Sequence, residues 1–204
     1  MSITAILLAA GESTRMRQNK ALLPWQGKTL LEFHLEQLQR TTVEQTIAVL
    51  GFEAETLLPL LEEASDVSVT INPHYSSGKC SSIKAGMGTL PPQSDSVIIL
   101  AIDQPRPYCL LQKLIEWHLS CSNLISLPVY EGKHGHPPIF SHSLFPELLE
   151  ISEEEMGLHQ IMRRHRVQVA ELPVSSPTVL SNLNKPDDYT RALSLFSHHD
   201  YSQS

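Results

Sequence analysis

The sequence predicts an α/β protein built on a mostly parallel sheet with helices on both faces. Three observations lead there. Strand-sized runs such as Val97-Ile98-Ile99-Leu100-Ala101-Ile102 are continuously apolar rather than alternating, as strands buried on two sides are. Segments with helical spacing separate these runs along most of the chain. The 204 residues are 41% hydrophobic and contain no internal repeat or low-complexity tract, which suits one substantial core.

The first strand is expected at residues 3–8. Residues 29–40 carry Leu30, Leu31, Phe33, Leu35 and Leu38 at close to helical spacing. A second strand follows at 46–50, a leucine-rich helix at 54–64, a third strand at 67–71, a short helix at 81–88 and a fourth strand at 96–102. Pro107 suits the start of a helix over 109–119, and a fifth strand follows at 124–127. Residues 134–140, rich in Gly, His and Pro, read as an insertion or an edge hairpin. Helices are expected near 142–150 and 156–165, a strand at 167–172 and a last helix at 186–196. Residues 1–196 thus form one domain, and 197–204 a polar tail.

Fifteen cations against 22 acids give a net charge of −7. That argues against a nucleic-acid partner, whose binding surfaces are basic, but permits a locally positive site for a small anion. The longest apolar stretches are strand-sized, short of the roughly 20 residues that span a bilayer, so no membrane partner is expected. The first residues carry no basic segment followed by a signal-like apolar one. Cys80, Cys109 and Cys121 have no C-x-x-C spacing and read as free thiols. A cytoplasmic location is the expectation. His134 and His136 form an H-x-H pair and His198-His199 lie in the polar tail, without the paired ligand motifs of a structural zinc site.

In an open parallel sheet, ligands bind beyond the carboxyl ends of the strands. That brings the turn after the first strand, the loop from Asn72 and the loop from Asp103 to one rim. The turn, Leu8-Ala9-Ala10-Gly11-Glu12-Ser13-Thr14-Arg15-Met16 with Lys20, combines small residues with two cations. Main-chain N–H groups and fixed positive charge in such a turn stabilise phosphate oxygens, although an ordinary strand-to-helix turn with surface cations has the same composition. Two better-known phosphate loops fail on residues. Gly27-Lys28-Thr29 could end a Walker A loop, but Leu22 stands where its first glycine belongs. Ser13 and Met16 occupy the second and third glycine positions of a dinucleotide fingerprint. Asp103, at the mouth of a buried strand, suits either Mg²⁺, which takes one or two carboxylates plus substrate phosphates, or a turn. Asn182 or Asn184 could add an oxygen. Pro186, Asp187 and Asp188 suit a helix N-terminus. The polar run from Asn72 to Ser82 suits either a nucleotide contact or a capped helix start.

With these residues in hand, the chain resembles the nucleotidyltransferases of the molybdenum-cofactor type, most of all the molybdenum cofactor cytidylyltransferases and related MobA-like NTP transferases. Four islands carry the resemblance, in order and over nearly the whole chain. They are Leu8-Ala9-Ala10-Gly11-x-Ser13-x-Arg15-Met16 with Lys20, Leu22, Leu23, Pro24 and Gly27; Asn72 with Gly78, Ser82 and Gly86; Asp103-Gln104-Pro105; and Gly135-His136-Pro137-Pro138-Ile139-Phe140 with Asn184-x-Pro186-x-Asp188. The resemblance implies a Rossmann-like three-layer α/β/α nucleotidyltransferase fold and Mg²⁺-dependent catalysis without a covalent enzyme intermediate. It implies catalytic roles for Arg15, Lys20 and Asp103, nucleotide contacts from Leu8, Ala9, Ala10, Gly11, Lys20, Asn72, Ser82 and Asp103, and metal ligation by Asp103 with Asn184 or Asn182. Gly135, His136 and Pro137 would bind the acceptor, with His136 either fixed toward it or facing solvent on a rigid turn. Leu-Ala-Ala-Gly accompanies CTP users in this family, so Ala10 points to CTP. The expected partners are CTP, a molybdopterin-type phosphate acceptor and a molybdoenzyme client. A sugar-phosphate nucleotidyltransferase and a non-catalytic cofactor carrier are the alternatives. The chain departs from the family at Arg17 (glycine), Lys79 (often apolar), Ile102 (glycine), and Asn182 and Asn184 (frequently aspartates).

Overall fold

The computed structural model describes residues 1–16, 18–62, 64 and 66–198. Arg17 and residues 199–204 of the expected tail lie outside them. β1 (Ile3–Ala9) is buried along its length. Ile3, Ala5, Leu7 and Ala9 face one core, and Ile6 and Leu8 the other, following the two-residue period of a strand. A small hairpin then intervenes, β2 (Pro24–Trp25) and β3 (Lys28–Thr29). Gln26 (φ +49°) and Gly27 (φ +83°) form its turn, the left-handed pair that two-residue hairpins favour. Trp25, fully buried, packs against Phe33, Tyr189 and Phe196. α1 (Leu30–Gln39) starts where Thr29 and Glu32 close a capping box. β4 (Gln45–Leu50), α2 (Ala54–Glu62) and β5 (Val67–Ile71) follow, then α3 (Lys79–Met87), β6 (Ser96–Ala101), α4 (Tyr108–Ser120) and β7 (Ile125–Tyr130). β8 (Lys133–His134), β9 (Ile139–Ser141), α5 (Phe145–Glu150), α6 (Leu158–Arg164), β10 (Val169–Pro173) and α7 (Pro186–His198) complete the order.

The strands form an eight-stranded sheet in the order β10-β7-β9-β6-β1-β4-β5, with β8 paired to β7. Only β8 and β9 run against the common direction. α1, α2, α4 and α7 feed the core on one face, and α3, α5 and α6 that on the other. Gly86 lets α3 approach closely, since a Cβ there would meet Ile6 at 2.8 Å and Val49 at 3.0 Å. From β1 the chain moves to β4 and β5 on one side, and later to β6 on the other. The order therefore reverses between β1 and β6, where an open α/β sheet leaves a crevice.

The segment 134–140 corrects the expected insertion or edge hairpin. β9 lies inside the sheet, antiparallel to both β6 and β7, with Ile139 and Phe140 fully buried. A three-residue strand is too short to show a period, and the prolines before it read locally as turn. β7 likewise runs past Pro128, whose missing N–H falls beyond Ile125 and Ser126, the residues paired with β9.

Two buried histidines fasten helices to strands. His118 Nε2 meets Ser96 Oγ at 3.0 Å and its Nδ1 meets Ser126 Oγ at 2.8 Å. His34 Nε2 meets the Ile102 carbonyl at 3.1 Å. Burial holds both imidazoles down to about 4. Below pH 6.5 the unfolded chain takes up protons that the folded one refuses until about pH 4, so stability should fall with pH across that window. Each histidine contributes up to about 1.4 kcal/mol per pH unit. Urea unfolding at pH 7 and pH 5 measures the slope, and His118→Gln should make it shallower. An equal slope in the variant would refute the assignment.

Candidate active site

A cavity of about 500 Å³ opens beyond β1 and β6, at the reversal of strand order. Its first wall is the turn after β1. The Ala10 carbonyl accepts from Phe52 N–H at 3.1 Å. A Cβ on Gly11 would meet no protein atom within 4 Å, so the glycine keeps the cavity open rather than relieving a packing clash. Ser13 sits at φ +54°, and its hydroxyl accepts from Lys20 N–H at 3.2 Å. Asn19 caps the next turn by accepting from Ala21 N–H at 3.0 Å. The turn is thereby folded back so that Lys20 reaches inward.

Lys20 Nζ donates to Asp103 Oδ2 at 2.8 Å and to Asn184 Oδ1 at 3.2 Å. Arg15 donates to the same Asn184 oxygen at 3.3 Å. Asp103 is fixed at the end of β6 by its neighbours. Ile102 N–H donates to the Leu8 carbonyl at 2.9 Å, and Leu183 N–H donates to the Asp103 carbonyl at 2.8 Å. That second bond brings Asn182 and Asn184 beside Asp103, and Gln104 Nε2 donates to Asn182 Oδ1 at 2.6 Å. Asp103 is the one carboxylate among the described lining residues. A single carboxylate with a neighbouring amide oxygen fits a magnesium-like ion whose remaining ligands are phosphate oxygens and water.

A second cavity of about 290 Å³ adjoins the first, with Lys79 in the lining of both. His136, Leu127 and Met162 line it. Burial, aided by the charges of Lys79 and Arg106, holds the His136 imidazole down to about 4, so it is neutral near pH 7. Burial and then Glu153 push the Cys80 thiol up to about 11, the reverse of what a nucleophilic cysteine needs.

Arg106, 1% exposed, ties these walls together. Its guanidinium donates to the carbonyls of His136 (2.8 Å), Pro105 (2.7 Å), Val179 (2.8 Å) and Ser181 (3.1 Å). His136 N–H also donates to the Val179 carbonyl at 3.1 Å, and a Cβ on Gly135 would collide with Val179 at 2.8 Å. The glycine is needed for that close approach.

The chain matches the model of a MobA-like NTP transferase domain over residues 5–169. It belongs to the MobA-like NTP transferase family. It is similar to the molybdenum cofactor cytidylyltransferase of Escherichia coli (strain K12), 25% identical over 94% of this chain and 95% of that one. It is 29% identical to the probable molybdenum cofactor guanylyltransferase of Nostoc sp. over 92% of this chain and 88% of that one. Among solved structures, Rv0371c from Mycobacterium tuberculosis H37Rv superposes with a TM-score of 0.81 at 26% identity, covering 95% of this chain and 98% of that one. Its complex with manganese gives a TM-score of 0.77 at 26% identity over 95% and 99%. The sheet and its two helical layers are the Rossmann-like α/β nucleotidyltransferase fold.

Within this MobA-like chain, nine of the residues singled out from sequence line the first cavity: Leu8, Ala10, Gly11, Arg15, Lys20, Ser82, Asp103, Asn182 and Asn184. Ala9 faces the core instead, one step out of phase along β1. Asn72 is buried beneath its loop. Its amide donates to Ser81 Oγ at 2.8 Å and Ser82 Oγ at 3.0 Å, while its oxygen accepts from His74 N–H at 2.9 Å. It therefore shapes the wall that Ser82 joins. Gly135 and His136 line the second cavity, whereas Pro137 is buried outside the lining. Sequence reading assigned no role to Gln104 or Arg106. Arg106, between Pro105 and Pro107, carries no periodic signal, because its partners are backbone carbonyls. No helix of the described residues is long and apolar enough to cross a membrane.

Proposed function

We propose that this chain transfers CMP from CTP to the terminal phosphate of molybdenum cofactor, acting as one catalytic domain over residues 1–196 in the cytoplasm. The observation that carries this reading is the convergence of Arg15, Lys20, Asp103 and Asn184 on one cavity behind the Gly11 turn. An oxygen of the acceptor phosphate attacks the α-phosphorus, the new P–O bond forms as the bond to the bridging oxygen of the β-phosphate breaks, and pyrophosphate leaves. A phosphate monoester is already substantially ionised near neutral pH, so the attack needs no general base. Catalysis then depends on positioning and charge neutralisation.

Arg15 and Lys20 neutralise the triphosphate, and the Gly11 turn lets it approach the main chain. Asp103, with Asn184, would hold Mg²⁺, which when bound supplies further positive charge at the phosphate oxygens. The manganese complex of the mycobacterial neighbour supports a divalent ion in this role. The neutral His136 and the Gly135 turn receive the acceptor, with a molybdoenzyme as the client of the product. The relatives' names span cytidylyl and guanylyl transfer, so the choice of CTP rests on Ala10, which lines the cavity beside Gly11.

Pyrophosphate release tests this directly, with CTP or GTP, Mg²⁺, and molybdopterin or a sugar phosphate. Release should be largest with CTP and molybdopterin. Release with GTP alone would overturn the base assignment, and release with the sugar phosphate alone the acceptor assignment. Tight molybdopterin binding without any release would make the chain a cofactor carrier.

A further inference from the structure

We infer that Lys79 binds the acceptor's terminal phosphate, a phosphate monoester, at the junction of the two cavities. This rests on the nucleotidyl-transfer reading above. Lys79 is the first residue of α3 and lines both cavities. Its backbone direction is set by Gly78, at φ +113°, against which Glu153 packs so tightly that a Cβ would lie 2.5 Å from Oε1. Glu153 also accepts from Cys80 N–H at 2.7 Å. The start of α3 is thus held from both sides, and the lysine projects from a fixed base.

Its ammonium makes no hydrogen bond or ion pair with a described residue. Lys20 is paired with Asp103, Lys28 with Glu36, and Arg15 with Asn184. The side chain remains accessible along the cavity, yet the surrounding walls desolvate it and hold its ammonium below the usual lysine range. An unpaired, accessible cation on a cavity wall can meet an entering anion through charge-assisted hydrogen bonds.

The anion follows from the layout. The first cavity already presents Arg15 and Lys20 to a triphosphate. The second presents Glu153 together with histidines, and Lys79 is the one lysine or arginine among its described lining residues. A phosphate entering there would face the Glu153 carboxylate without compensation if Lys79 were absent. Nucleotide and acceptor are both anions that must meet where the cavities join, and Lys79 stands on the wall they share.

Lys79→Met and Lys79→Arg test the inference through pyrophosphate release with CTP and molybdopterin varied in turn. Inorganic phosphate serves as a competitor, and equilibrium titration with each substrate runs alongside. Losing one charge-assisted contact should raise the acceptor KM about 10- to 100-fold in Lys79→Met. Phosphate inhibition against the acceptor should weaken in parallel, the CTP KM should stay close to wild type, and Lys79→Arg should recover part of the loss. An unchanged acceptor KM, or a rise confined to CTP, would overturn the inference while leaving nucleotidyl transfer intact. If the wild-type chain releases no pyrophosphate, that reading fails by itself. The molybdopterin titration then decides Lys79 separately, because equal affinity in Lys79→Met would still refute it.

Discussion

Arg106→Met is expected to cost about 3–5 kcal/mol of folding stability, because it removes donors from four backbone carbonyls at roughly 1 kcal/mol each. Methionine fills a similar volume but donates nothing. The carbonyls of Pro105, His136, Val179 and Ser181 would each lose a donor, at sites where water does not easily substitute. Replacing a whole buried ion pair by apolar groups can be neutral, but backbone carbonyls stay in place whatever the side chain. At about 2–4 °C per kcal/mol for a chain of this size, the melting temperature should drop by roughly 6–20 °C. Arg106→Lys should recover only part, since three donors on a point-like ammonium cannot span the fork. Calorimetric melting of the three proteins checks this, and a drop below about 2 °C in Arg106→Met would refute the assigned role. The loss should extend to function, because the same carbonyls hold the Gly135 turn beside the Asn182 segment.

Asp103→Asn is expected to lower kcat/KM by on the order of 10²–10³, the range for removing one well-placed group that stabilises transition-state charge. The substitution keeps the shape of the side chain and an oxygen for Lys20 while discarding the negative charge. Thermal melting should be read alongside, since Lys20 and Asp103 are only 10% and 23% exposed and the variant leaves the Lys20 ammonium with amide oxygens alone. Asparagine would leave the cavity without a carboxylate among its described lining residues. Mn²⁺ titration followed by electron paramagnetic resonance gives a readout independent of turnover, and its affinity should fall with activity. Wild-type turnover in the variant, or undiminished activity after removal of divalent metal, would refute the metal mechanism.

Much of this was legible from local chemistry. β1, β4 and β6 are built on continuous apolar runs, whereas β5, at the sheet edge, alternates apolar and polar residues, and the ends of all four in the structure fall within a residue of those expected. Burial on two faces writes itself into every consecutive position of a strand. The rim rule then located Gly11, Lys20 and Asp103 without a contact being known. The β2–β3 hairpin and β9 were not legible, because strands of two or three residues are too short to show a period. The small shift in the expected nucleotide wall has a similar origin. Ala9 and Ala10 are alike in composition, and only the pleat decides that one faces the core and the other the cavity.

By itself the sequence determined the parallel sheet, the rim on which the site forms and the cations available to it, since each depends on residues adjacent along the chain. The tertiary structure alone decided the pairings. Lys20 and Asp103 are 83 positions apart, Arg106 and Val179 are 73 apart, and Lys79 came to stand between two cavities. Such contacts join a side chain to a carboxylate, a carbonyl or a cavity wall contributed by a distant segment, so they leave no periodic trace along the chain.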